Sequence, residues 1–156
     1  MTRREAREAV FGLLFETEFH RDEALETVYS TSTENREIPD DPYIHGVYFG
    51  VAEHREELDT MIERHAKGWT LGRMSRVSRT VLRLACYEMM FLSDKVPMRV
   101  SINEAIELSK KFDGEKARGF INGILNAVKN ELIDRETAEK VPADENASGN
   151  DDGQNG

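Results

Sequence analysis

A single cysteine, Cys86, stands in a chain of 156 residues, and one thiol excludes an intrachain disulfide or a thiolate metal cluster. Its setting, Leu84-Ala85-Cys86-Tyr87, reads as a small buried apolar residue rather than a reactive thiol. No run approaches the roughly 20 consecutive apolar residues that cross a bilayer, so no membrane partner is expected. The start, Met1-Thr2-Arg3-Arg4-Glu5, passes into an amphipathic pattern containing acids instead of a signal-peptide apolar core, and the expected location is cytoplasmic. Catalytic punctuation is missing too: the chain has no His-Glu-x-x-His segment, Walker A loop, dinucleotide-binding glycine pattern or Gly-x-Ser-x-Gly turn. His20, His45, His54 and His65 do not form a recognisable metal-ligand motif. The acid pairs Asp40-Asp41 and Glu56-Glu57 are adjacent in sequence and so resemble solvated acids more than a general acid and base. The expectation is a protein that is not an enzyme and uses no metal or cofactor.

What is present is charge, unevenly spread. The net charge is −9, which taken alone argues against nucleic acid. Residues 64–118, however, carry 12 basic and 6 acidic side chains, between flanks of net −10 and −5. A local positive field attracts phosphates even on an anionic molecule, provided the linear segment becomes a surface patch.

The apolar fraction of 38% suffices for one modest core once the polar end is discounted. Ala6, Val10 and Leu13 or Leu14, with Phe11 and Phe15, mark a helix over about Arg3–Glu18. A short helix is expected over Asp22–Tyr29, then a loop from Ser30 to Pro42. Val47, Val51, Leu58 and Ile62 recur by threes and fours and predict one long helix from Tyr43 to about Lys67, stopped by Gly68. Trp69, Leu71 and Met74 are expected to plug the core from a linker. The next helix, about Arg76–Leu92, is apolar nearly all round and should run through the middle of the fold. After the break at Asp94-Lys95-Val96-Pro97, Ser101-Ile102-Asn103-Glu104 reads as a capping box that opens another helix. A last helix is expected from Glu115 to about Arg135, where Gly119 and Gly123 share a face and suggest close approach by a neighbour. No convincing strand is visible. The pattern predicts an all-α bundle with one domain over residues 1–136 and an acidic disordered tail over 137–156.

Three groups of residues are candidates for function. Arg3, Arg4 and Arg7 fall close together at a helix start and suit paired hydrogen bonds to phosphate, though Glu5 and Glu8 dilute their charge; a solvated helix end is the plainer reading. Lys116, Arg118 and Phe120 combine cations with a ring able to stack a splayed base, while the spacing of Phe120 is equally that of a core residue. Glu88, the only charge between Leu84 and Leu92, must reach the edge of the core, find an internal cation or meet a partner.

Three segments then add a further level: Arg3-Arg4-Glu5-Ala6-Arg7-Glu8; Thr80-Val81-Leu82-Arg83-Leu84-Ala85-Cys86-Tyr87-Glu88; and Ser101-Ile102-Asn103-Glu104-Ala105-Ile106-Glu107-Leu108-Ser109-Lys110. With Phe120-Ile121-Asn122-Gly123-Ile124-Leu125 and over about residues 3–133, the chain resembles the NusB family of bacterial transcription antitermination factors. The resemblance implies about seven helices in two packed subbundles. It implies binding of the single-stranded boxA element of ribosomal RNA leader transcripts together with the ribosomal protein NusE, inside an RNA polymerase elongation complex with other Nus factors. It assigns RNA contacts to Arg3, Arg4, Arg7, Arg118 and Phe120, and a NusE-facing position to Glu88. Family members self-associate in some cases, so a homodimer is a possible further partner. The rivals are a helical protein-interaction scaffold without RNA binding, and an accessory module of the kind found beside RNA methyltransferase domains.

Overall fold

Seven α-helices and one 3-10 turn make up the computed structural model, which describes residues 1–148, with side chains through residue 139. The helices are α1 (Arg3–Thr17), α2 (Leu25–Asn35), α3 (Pro42–Glu53), α4 (Arg55–Arg64), α5 (Arg76–Phe91), α6 (Met98–Asp113) and α7 (Arg118–Ser148), with the 3-10 turn at Leu71–Arg73. The all-α expectation and the number of helices agree with it. Among the described residues no helix is long and apolar enough to cross a membrane. The expected disordered tail begins at residue 137; α7 continues through Ser148, and residues 149–156 lie outside the described residues.

α5 is the axis. It packs against α1, α3, α4, α6 and α7, so that α1–α3 form one group and α4, α6 and α7 the other, with α5 shared. Val81, Leu82, Leu84, Ala85, Cys86 and Met89 are all buried along it. Each fully buried aliphatic side chain of this kind contributes about 1.5–3 kcal/mol. Burial also pushes the Cys86 thiol up to about 12, which keeps it protonated and inert.

Four boundaries differ from those the sequence predicts, the first three for a physical reason. First, the stretch expected to be one helix over 43–67 is two. The chain bends at His54 (φ −103, ψ 18), where the imidazole stacks on Phe91 with ring centroids 4.3 Å apart. α4 therefore leaves in a new direction, toward α5 and α7. Lys67 (φ 52) and Gly68 (φ 91) then turn left-handed, the conformation for which Gly68 is suited. Second, α2 runs on to Asn35, through residues read as loop. Val28 and Ser32 are buried one turn apart, and the Thr33 hydroxyl donates to the Tyr29 carbonyl, so packing overrides weak helix propensity. Third, α6 starts at Met98 with Pro97 as its cap, so Ser101 sits within the first turn and cannot cap. Its hydroxyl donates instead to Glu88. Fourth, α7 starts at Arg118, not 115.

A capping box does exist, at α1: the Thr2 hydroxyl accepts from the Glu5 amide at 3.0 Å and the Thr2 amide donates to the Glu5 carboxylate at 2.7 Å. Glu5, the acid that interrupts the arginines, is what starts the helix that carries them.

α1 and α6 lie side by side and point the same way. Arg4 meets Glu104, Glu8 meets Lys111, and Phe11 stacks on Phe112 with centroids 4.8 Å apart. This pairing sets the geometry of the candidate site.

Candidate nucleic-acid interface

The three amino-terminal arginines have three different fates. Arg3 is exposed and lies over the Tyr43 ring, 4.0 Å from its centroid. Arg4 is exposed and holds the Glu104 carboxylate with two hydrogen bonds, Nε at 3.0 Å and Nη2 at 2.8 Å. Those bonds hold the Glu104 carboxyl below the usual carboxylate range. Arg7 is only 5% exposed. It shares the inward face of α1 with Ala6 and Val10, and its Nε donates to Glu88 at 2.8 Å. Of the three arginines expected to contact RNA, Arg7 is thus the one turned into the fold and committed to Glu88.

Glu88 answers its own question in the same place. At 1% exposed, it accepts hydrogen bonds from Arg7, from the Tyr43 hydroxyl and from the Ser101 hydroxyl at 2.6 Å. Burial, and then the neighbouring carboxylate, push the Tyr43 phenol far up, which keeps it a donor. Of the three alternatives open to Glu88, the internal cation is realised. The expected NusE-facing role would need this carboxylate to become accessible, since both of its oxygens are engaged inside the fold.

The other candidates gather at the start of α7. Arg118 is exposed, with only a loose pair to the exposed Glu115 at 3.7 Å. Phe120 is half-buried, and its ring stands edge-on to Trp69 with centroids 6.1 Å apart. Trp69 was expected in the core with Leu71 and Met74. Those two are buried, whereas Trp69 is 47% exposed, because the left-handed turn at Lys67 and Gly68 directs the linker outward. Two open grooves flank the ring pair. One, of about 320 Å³, is bordered by Arg73, Lys116 and Asp113; the other, of about 270 Å³, by His65, Lys67, Gly119 and Gly123. Arg73 lies 5.2 Å from the Trp69 ring centroid. A β-carbon on Gly119 or Gly123 would meet nothing within 4 Å. The neighbour those glycines were expected to admit is thus not found among the described residues.

The structure consequently separates the site into two stations. Glu104, where Arg4 is held, lies nine residues along α6 from Asp113, about 13 Å at 1.5 Å per residue. Asp113 is tied to the start of α5 by a 3.0 Å hydrogen bond from Ser75, next to the groove beneath Trp69 and Phe120. Trp69 and Arg73 belong to the ring station and were not singled out as site residues. The available signal was the pairing of a lone tryptophan with the glycine stop just before it.

Exposed rings beside cations, carried on a rigid helical frame, form the class of interface by which helical proteins take hold of nucleic acid: cations for phosphate, π-faces for bases. Comparison with known proteins specifies it further. The NusB family profile matches residues 4–130. The transcription antitermination protein NusB of Geobacillus kaustophilus is 43% identical over 132 residues, covering 83% of this chain and 96% of that protein. That of Myxococcus xanthus is 42% identical over 131 residues, covering 81% and 93%. Among solved structures, T. maritima NusB superposes with a TM-score of 0.74 at 38% identity, over 84% of this chain and 92% of the other. A crystal structure of the antitermination factors NusB and NusE in complex with double-stranded RNA gives 0.72 at 30% identity, over 84% and 99%. The chain belongs to the NusB family, a family of non-catalytic RNA-binding proteins acting in transcription antitermination.

Proposed function

We propose that this protein binds single-stranded boxA RNA of ribosomal RNA leader transcripts jointly with NusE, as part of an RNA polymerase elongation complex with other Nus factors in the cytoplasm, and so supports ribosomal RNA transcription. The observation that carries the reading is the Trp69–Phe120 ring pair with Lys67, Arg73, Lys116 and Arg118 around it. The rings supply stacking that tolerates a flexible strand, and the cations supply phosphate contacts that orient it. Arg3 and Arg4 extend the contact at the second station. A solved relative is NusB with NusE in complex with double-stranded RNA, which supports NusE and RNA as the general kinds of partner here. Joining two modest surfaces on one transcript raises effective concentration without tight binding by either.

The test is fluorescence anisotropy with boxA RNA at low salt, with and without NusE. Trp69→Ala and Phe120→Ala should each cost about 1–3 kcal/mol, the worth of one base on one ring, with helical content unchanged. Absence of any boxA-selective complex, even with NusE present, would refute the proposal. NusE binding without RNA would favour a scaffold instead. Light scattering over a concentration series reads any homodimer competing for the same face.

A further inference from the structure

The face between α1 and α6 holds Arg4, expected to meet RNA, and the exposed Lys111, and each is already engaged across the helix pair. Arg4 is held by Glu104 through two hydrogen bonds, and the Lys111 ammonium by both oxygens of Glu8, at 2.8 and 2.9 Å. The cleft between them is lined by Arg4, Arg7 and Lys111 against Glu8, Glu104 and Glu107, and Arg7 is separately committed to Glu88. As it stands, this face offers an approaching phosphate no net positive charge.

We propose that Glu104 and Glu8 form a carboxylate latch over the α1–α6 face, one that RNA phosphates displace on binding, so that these two acids set the strength and salt dependence of the RNA contact. The inference rests on the RNA-binding reading above. Both pairs are reversible. Arg4 and Lys111 are 64% and 58% exposed; Glu8 is 38% exposed, which makes its pair a weak tie, while Glu104, 12% exposed and held by two hydrogen bonds, makes the firmer one. Phosphate and carboxylate bind the same guanidinium edge, so exchange needs only a side-chain rotation. The exchange also leaves its mark on counterions. When a latched cation takes a phosphate, the RNA releases condensed cation, but the freed carboxylate draws cation back. With the acid removed, only the release remains, and the salt dependence steepens.

The experiment uses the full chain with NusE and boxA RNA, comparing the original protein with Glu104→Gln, Glu8→Gln, Arg4→Gln and Arg4→Gln/Glu104→Gln across a salt series. Glutamine keeps an acceptor for Arg4 and removes the charge. Each acid variant should bind roughly two- to fivefold more tightly at low salt, the scale of one exposed pair. The slope of log K against log salt should steepen by up to about 0.7, the value for one phosphate on a single strand. The Glu104→Gln gain should vanish when Arg4 is already glutamine. A general stabilising effect would move the melting temperature and leave the slope unchanged. Equal or weaker binding by both acid variants, with the original chain binding normally, overturns the latch alone. No binding by any of the proteins overturns the RNA reading and the latch with it. Should Glu104→Gln not fold, Glu8→Gln carries the same readout through Lys111.

Discussion

Arg7→Met tests the buried polar centre most directly. In the native fold, Glu88 accepts from Arg7, Tyr43 and Ser101 while almost wholly withdrawn from water. Methionine fills much of the arginine volume but removes the cation, leaving a carboxylate held by two neutral hydroxyls. Breaking a buried pair by deleting one partner typically costs 3–5 kcal/mol, and the two remaining hydrogen bonds, at about 1 kcal/mol each, offset little of it. At roughly 2–4 °C per kcal/mol for a chain of this size, the loss is on the order of 10 °C in melting temperature. The double variant Arg7→Met/Glu88→Leu removes the stranded charge and should recover part of the loss, while Tyr43 and Ser101 then lack their acceptor. Urea denaturation of the four proteins gives the coupling energy. A single-variant loss under 1 kcal/mol, or a double variant equal to the sum of the singles, would refute the assignment of Arg7 and Glu88 to each other.

Two other outcomes follow from the same structure. Gly119→Ala and Gly123→Ala, in a helix where the added carbon meets nothing, should each stabilise the isolated protein by about 0.5–1 kcal/mol in urea denaturation; destabilisation would show that the free chain already fills that groove. Glu18, 4% exposed at its side chain, pairs with Arg79 at 2.7 Å and Arg83 at 3.0 Å. Burial opposes its charge, but the hydrogen bonds and charge of these arginines prevail, and its carboxyl titrates below the usual value near 4.5. A depressed acid contributes stability above its unfolded pKa and loses it as pH falls through the folded one. Stability should therefore decline below about pH 4.5, and Glu18→Gln should be less stable at pH 7 by about 2 kcal/mol, the scale of a hydrogen bond to a charged group, with a shallower acid limb. An unchanged acid limb would exclude Glu18 as a contributor.

Period and composition revealed the helices because burial imposes them locally: Val81, Leu84, Ala85 and Met89 are buried in α5 because their spacing puts them on one stripe. That stripe is what period shows; it could not reveal contacts made by residues far apart in the chain. The partners of Glu88 lie 81, 45 and 13 positions away, outside any helical-spacing rule. The bend at His54 has no glycine or proline to announce it; the ring of Phe91, 37 positions on, fixes it. Thr2-x-x-Glu5 and Ser101-x-x-Glu104 carry the same signature, yet only the first caps a helix. Pro97 had already begun α6 one turn earlier, which freed Ser101 for Glu88 and Glu104 for Arg4.

The same distinction governs the positive middle segment, whose excess does not become a broad patch. Arg79 and Arg83 turn inward to Glu18, Arg83 also to Asp59, and Arg64 to Glu131, so acids of the two flanks neutralise cations of the middle. Around the rings, Lys67, Arg73, Lys116 and the loosely paired Arg118 are what remains. Four phosphate contacts on a single strand correspond to a salt slope of about −3, whereas proteins whose affinity is chiefly electrostatic make 6–10 such contacts. Phosphate attraction alone is then too small to hold RNA firmly at moderate salt. On the proposed RNA reading, stacking on Trp69 and Phe120 and a second protein on the same strand supply the balance, and that is how an anionic chain would serve as an RNA-binding subunit.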